Sequence, residues 1–324
     1  MKKILIGELN MKMNFVYGKN EIFYSTDSAL DYISSARREN IKISPEQLHI
    51  YNDGKYMYLE VFNGRVKQYP IREAFMLKLL KWFSFPTHQL KILDIDTITS
   101  VLNDYLLSIK RIYVNVKIEY GEALTITSDR YCEIEDTEII KRLDPGTIDL
   151  IYITDFTSSF RTKTSHNMIP YPDDVFGVGL NIVNSETGFK AFQINNYLLR
   201  YICSNGAYVK DFEDDIKYYH YDLFAPTVYD IIDNKVRTIR ERVNIIKDRL
   251  ITMDFEIKEE EVKKLNQLIF HKVGVKLITD IIENERPPTK YELFNIITHR
   301  AKDFELSKRI LIEEIAGKML NGSN

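Results

Sequence analysis

Two cysteines, Cys132 and Cys203, are all that 324 residues contain. That scarcity excludes a disulfide framework, and reduced thiols inside apolar strand-like runs are expected instead. Long apolar runs are also missing. The basic start Met1-Lys-Lys is followed by an apolar run that ends within a few residues, and no later run is long enough to span a bilayer. A soluble, cytoplasmic protein with no membrane contact is expected. Charge of one sign is missing too: the formal net charge is -3, so nucleic acid would have to be met by a local basic patch. Tryptophan occurs once, whereas tyrosine (21) and phenylalanine (17) are abundant and supply much of the core and any stacking surface.

The recognisable chemical motifs are absent as well. There is no Gly-x-x-x-x-Gly-Lys-Ser/Thr loop, no Gly-x-Gly-x-x-Gly at a strand–helix junction, no Gly-x-Ser-x-Gly, no His-Glu-x-x-His and no Cys-x-x-Cys. Gly177-Val-Gly179 is too short to count. The six histidines are scattered, which argues against zinc. The cluster Asp211, Glu213, Asp214 and Asp215 reads as a solvated acidic loop. No cofactor and no metal are expected.

What is present is punctuation of strands. Residues 47–69 hold three alternating runs separated by Asn52-Asp-Gly54 and Asn63-Gly64, which predicts a three-stranded meander. Residues 177–194 predict a hairpin around Ser185-Glu-Thr-Gly188. Between them lie helices over 71–83 and 94–109, strands over 111–120 and 123–127, a short helix over 136–143 and a strand over 148–156. Residues 157–174, rich in Thr, Ser and Asn, read as one long loop. An α+β fold follows: an antiparallel, mostly meandering sheet over 47–210, packed by the 71–109 helices. The expected division is an α+β domain over 1–224 and a C-terminal helical region over 225–324 packed on it. In that region Ile232, Val236, Ile239, Val243, Ile246 and Leu250 form a heptad seam, serving either the chain's own core or a homo-oligomer through 232–250. The opposite face carries Arg237, Arg240 and Lys247, the best basic stripe in the chain.

Three polar sets stand out. Ser128-Asp129-Arg130-Tyr131 closes a strand. Asp129 can cap a turn, or Arg130 can hold a phosphate while Tyr131 stacks on a base. Asn184 and Glu186 sit in the hairpin turn, near Lys190. Arg200 interrupts an apolar run that ends at Asn205. An arginine there needs a carboxylate, backbone carbonyls or a ligand phosphate, and Glu186 is its candidate partner. Tyr291, Asn295 and Thr298 share one helix face, either as a buried polar network or as a wall closing over a cleft.

These sets resemble one family in chain order. Ser128-Asp-Arg-Tyr131 resembles its S-D-R-Y element. The segment from Ala74 to Pro86 resembles a helical element that ends in Ile-Pro, with Phe85 in the Ile place. Leu199-Arg-Tyr-Ile-Cys-Ser-Asn-Gly206 resembles R-x-V-C-x-N, and Phe294-Asn295-Ile-Ile-Thr298 resembles N-A-x-T. The family is the phage/plasmid-like protein family, a domain of unknown function carried by phages, prophages and plasmids. The likeness runs over residues 56–320. One departure is plain: where many members carry His-Asp-Gly-Ser, this chain has Asn184-Ser-Glu-Thr-Gly188. The resemblance implies a mobile-element origin and supplies no activity.

The leading expectation is a non-enzymatic accessory of phage DNA metabolism that binds or anneals single-stranded nucleic acid. Its candidate contacts are Arg130, Tyr131, Lys190, Arg200, Asn205, Arg237, Arg240 and Lys247. One alternative is an enzyme that clamps phosphate with Arg130 and Arg200 and uses Glu186 or Asp129 as base. Another is a protein–protein module, such as a host-takeover or anti-defence factor.

Overall fold

The computed structural model describes residues 18–163, 167–171, 174–200, 205–209, 216–221, 223–253, 255–279 and 289–320. The chain is α+β, with antiparallel sheets and C-terminal helices. The expected single sheet is instead three. Strands β3 (Leu48–Asn52), β4 (Met57–Asn63) and β5 (Arg65–Pro70) form the predicted meander, with Gly54 and Gly64 at positive φ in its turns. Strand β2 (Arg38–Ile43) joins β6 (Val114–Glu119) and β7 (Glu122–Ser128) in a second sheet.

The third sheet has eight strands. Its main path starts from β1 (Asn20–Phe23), then β8 (Ile148–Thr154), β9 (Ser158–Thr162), β11 (Asp174–Asn184), β12 (Phe192–Arg200) and β13 (Asn205–Val209). Strand β10 (Asn167–Tyr171) pairs with β11, and β14 (Ile216–Tyr218) pairs with β12.

The predicted loop over 157–174 therefore contributes two strands. Its polar composition concealed them because the inward groups are satisfied one by one. Ser159 Oγ meets Asn181 Oδ1 at 2.7 Å, and Thr162 Oγ1 accepts from the Leu180 amide. Buried Arg161 faces the carboxylate of Glu313 at 3.0 Å and the Tyr197 hydroxyl at 3.2 Å. Gly179 is required by this crossing: a Cβ there would lie 1.6 Å from the Thr162 carbonyl oxygen.

Helix α1 (Thr26–Ser35) is capped by Ser25. Helices α2 (Glu73–Trp82) and α3 (Ile95–Leu107) pack on β7 and β3, so they cover the two small sheets. They share an apolar core with residues 41–126. A second core unites the large sheet, α1, the short helix α4 (Asp136–Ile140) and the C-terminal helices. Those helices are α5 (Ala225–Thr238), α6 (Arg242–Ile251), α7 (Glu259–Val273), α8 (Lys290–Arg300) and α9 (Leu306–Gly317). Their apolar side chains belong to the same cluster as the strands, on both sides of residue 224. The heptad seam is broken by a 3-10 turn over 239–241, and all six of its residues pack into or against this core, so its apolar face is used within the chain. Thr289 begins α8 with a full capping box. Among the described residues no helix is long and apolar enough to cross a membrane, and no cluster of His, Cys, Asp or Glu is arranged to hold a metal ion.

Candidate functional site

The polar hairpin turn between β11 and β12 is where the two cores meet. Asn184 donates from Nδ2 to the Ile134 carbonyl and to Asp136 Oδ1, both at 2.7 Å. Ser185 donates to the Phe156 carbonyl at 2.6 Å and accepts from the Phe189 amide at 2.9 Å. Thr187 donates to the Asp155 carbonyl at 2.9 Å. Glu186 is buried between Lys117 at 2.8 Å and Arg38 at 3.2 Å, and it accepts the Asp136 amide at 2.9 Å.

The ion pairs continue across the seam. Glu119 takes Lys19 at 2.7 Å, Arg38 at 3.1 Å and Arg72 at 3.1 Å. Arg72 also reaches Asp155 at 2.8 Å and Glu122 at 2.6 Å, and Lys117 reaches Glu133. Desolvating so many charges is tolerable only because each finds partners. Burial works against the Glu186 carboxylate, but Lys117 and Arg38 outweigh it and hold it below the usual range. Asp136 moves the other way: burial first and then the Glu186 charge push it up. The network also positions a helix, since Arg72 is the residue from which α2 starts.

About two turns further along α2, Lys78 and Lys81 meet the hairpin turn. Lys78 Nζ donates to the Gly188 carbonyl at 2.6 Å. The Lys78 and Lys81 ammoniums lie 5.3 and 5.5 Å from the centroid of the Phe189 ring. Together with Lys190 they border a cleft of about 320 Å³. Its remaining wall comes from residues 127–131 and from 219–221, held together by backbone bonds. The Cys132 amide donates to the His220 carbonyl at 2.7 Å, and a lone bridge pairs Tyr131 with Tyr221. Tyr219 and Tyr221 present their rings at 65% and 57% exposure.

The chemistry of the cleft is lopsided. No carboxylate lines it among the described residues. Burial and the neighbouring Lys81 charge bring the Lys78 amine down to about 8. Burial likewise lowers His220. Its Nδ1 faces the Cys132 carbonyl at 3.0 Å, which assigns the proton to Nδ1 and leaves Nε2 as an acceptor. Nε2 of His220 and Oγ of Ser128 are both buried in the cleft wall without a hydrogen-bond partner.

The residues singled out from the sequence divide sharply. Tyr131 and Lys190 line the cleft. Tyr131 does not offer its face to a base, however. Its ring stacks on His220 with centroids 4.9 Å apart, and its hydroxyl donates to the Ser185 carbonyl. Burial pushes that hydroxyl well above 10. Asn184 and Glu186 belong to the seam. The expected Glu186–Arg200 pair does not form: Arg200 is registered with Phe176 and Asn205, at the opposite end of β12 from the turn. The side chains of Arg200, Asn205 and Arg240 lie outside the described residues, as do Cys203 and the acidic cluster at 211–215. Cys132 is a free, half-buried thiol.

Asp129 pairs with Arg111 at 2.8 Å, and Arg130 is exposed beside it. Arg237 bonds Asn234 on the exposed face of α5, and half-buried Lys247 lies on α6; neither lines the cleft. Thr298 donates back to the Phe294 and Asn295 carbonyls, Tyr291 packs against the large core, and Asn295 Oδ1 is a buried orphan. That is the polar face of a packed helix, and none of the three borders the cleft.

Lys78, Lys81, His220, Tyr219 and Tyr221 were missed. The available signal was Lys78 itself, a lysine among Ala74, Phe75 and Leu79 on the face that α2 buries.

No family model, no curated protein and no solved structure matches this chain, so the likeness to the phage/plasmid-like family stands on its four motifs alone.

Proposed function

We propose that the cleft binds single-stranded nucleic acid, and that the protein is an accessory factor of phage or plasmid DNA metabolism. The single observation that carries this reading is the convergence of Lys78, Lys81 and Lys190, with no carboxylate among the described lining residues, on a wall bearing exposed Tyr219 and Tyr221. Ammonium groups beside aromatic rings are what a strand needs: cations for phosphates and π faces for unstacked bases. The volume of about 320 Å³ suits a flipped-out nucleotide better than a duplex. With a net charge of -3, attraction must be local to this site. The mobile-element resemblance supplies the biological setting.

The test is fluorescence anisotropy of labelled single-stranded and duplex DNA and RNA, titrated at low and high salt against wild type and the double variant Lys81→Gln/Lys190→Gln. The expected result is strand-preferring, salt-sensitive binding, with the slope of log K against log salt flattened by about 1.4 for two lost phosphate contacts. Absence of binding at low salt, or an affinity indifferent to salt, overturns the reading.

A further inference from the structure

Half-buried Lys78 differs from the other shielded lysines around the seam. Lys19 and Lys117 are tied to carboxylates, whereas Lys78 has the Gly188 carbonyl and the Phe189 face. The site is shaped around its amine: a Cβ at Gly188 would lie 2.5 Å from Lys78 Nζ and 3.0 Å from Tyr131 Cε2. The titratable groups around the cleft are Lys81 from the same helix, Lys190 from the turn, and Tyr131, His220, Tyr219 and Tyr221 from the far wall.

We propose that Lys78 captures an aldehyde in the cleft as an imine, the aldehyde belonging to a molecule whose phosphate is held by Lys81 and Lys190. The ring-opened sugar of an abasic site in a single strand has this chemistry, and so does a small aromatic aldehyde phosphate. The abasic source rests on the strand-binding reading; the capture itself does not.

The step balances without a redox partner. The neutral amine's lone pair forms the C–N bond, and the carbonyl π pair moves to oxygen, which is protonated. The nitrogen then expels that oxygen as water. Nitrogen gives one proton to that oxygen and solvent supplies the second that lets it leave as water, so the product is a protonated imine. With the amine at about 8, about a quarter of Lys78 is neutral at pH 7.5, against about 0.1% of an ordinary lysine. The Gly188 carbonyl holds one N–H and leaves the lone pair available to the cleft.

The experiment uses the full chain and sodium borohydride, which reduces an imine to a stable secondary amine. One arm offers a labelled single strand with one abasic site, the second offers pyridoxal 5′-phosphate, and the third measures anisotropy with the undamaged strand. Adducts are mapped by peptide mass spectrometry. The expected result is labelling of Lys78 at least tenfold above any other lysine in both aldehyde arms, loss of that adduct in Lys78→Arg, and a trapping rate in wild type that rises with a midpoint near pH 8. The pH profile keeps the test decisive should the variant fail to fold. Labelling by pyridoxal phosphate without the abasic strand supports the capture and overturns its nucleic-acid source. Binding of the undamaged strand with Lys78 labelled no faster than surface lysines overturns the capture while strand binding stands.

Discussion

Lys78 Nζ and the Gly188 carbonyl meet at 2.6 Å, joining a helix of the smaller core to a turn of the larger one. Gly188 sits at a φ of 71°, in the left-handed region, and a Cβ there would crowd Lys78 Nζ and Tyr131 Cε2. Gly188→Ala is therefore expected to lose about 1–2 kcal/mol of stability and to displace the amine. A urea melt reads the first effect, and weaker strand binding in the anisotropy assay reads the second. A fully wild-type melt would contradict the geometry.

Glu186 is the centre of the seam. Glu186→Gln leaves Lys117 with Glu133 alone and Arg38 with Glu119 alone as counter-charge, and is expected to cost about 3 kcal/mol. It also removes a charge that raises Asp136, so the Asp136 carboxyl should titrate lower in the variant. Chemical denaturation checks the stability loss, and carboxyl NMR shifts check the titration.

Glu73 opens a pH window. Burial, together with the Asp155 charge, pushes its carboxyl up to about 7. The folded chain then keeps a proton that the unfolded chain releases near pH 4.5. Its contribution is full below that value and is lost as pH rises through about 7. Glu73→Gln should accordingly be more stable than wild type by about 1 kcal/mol at pH 8, after allowance for solvent screening, with the gap closing by pH 5. Melting temperatures across that range test it, and a gap that widens toward pH 5 would reverse the assignment.

The aromatic wall makes a sharper distinction. Tyr219 and Tyr221 are exposed, whereas Tyr131 is held between His220 and the turn. Tyr221→Ser or Tyr219→Ser should weaken single-strand binding by about 1–3 kcal/mol each. Tyr131→Phe, which keeps the ring and loses only the bond to the Ser185 carbonyl, should mainly lower the melting temperature. Equal binding losses in all three would mean that the turn held by the Tyr131 hydroxyl matters to binding as much as the two exposed rings.

The legible parts of this fold were local. Gly54, Gly64 and Gly188 mark turns because each adopts a positive φ. The seam of α5 and α6 showed its apolar face through spacing. Strand β9 was hidden because Ser159, Arg161 and Thr162 are buried polar residues whose partners lie on β11, β12 and α9. The cleft was half legible. Tyr131 and Lys190 carried a polar signal of their own, whereas Lys78 and Lys81 are embedded in an apolar helix and His220 looked like one scattered histidine. Glu186 reads from the sequence as a candidate partner for Arg200, but its cations come from β2 and β6 and not from its own hairpin.

The seam gives the cleft a mechanical meaning. One wall is carried by residues 78–82 and the other by 188–191 and 219–221. The cores behind them are separate apolar clusters, joined at this seam by ion pairs, hydrogen bonds and a few ring contacts. A molecule gripped by both walls acts as a strap across that joint. At a hundredfold excess over its Kd it adds about 2.7 kcal/mol to the work of parting them. Occupancy should thus make the chain unfold as one unit and, when empty, let it come apart in two steps.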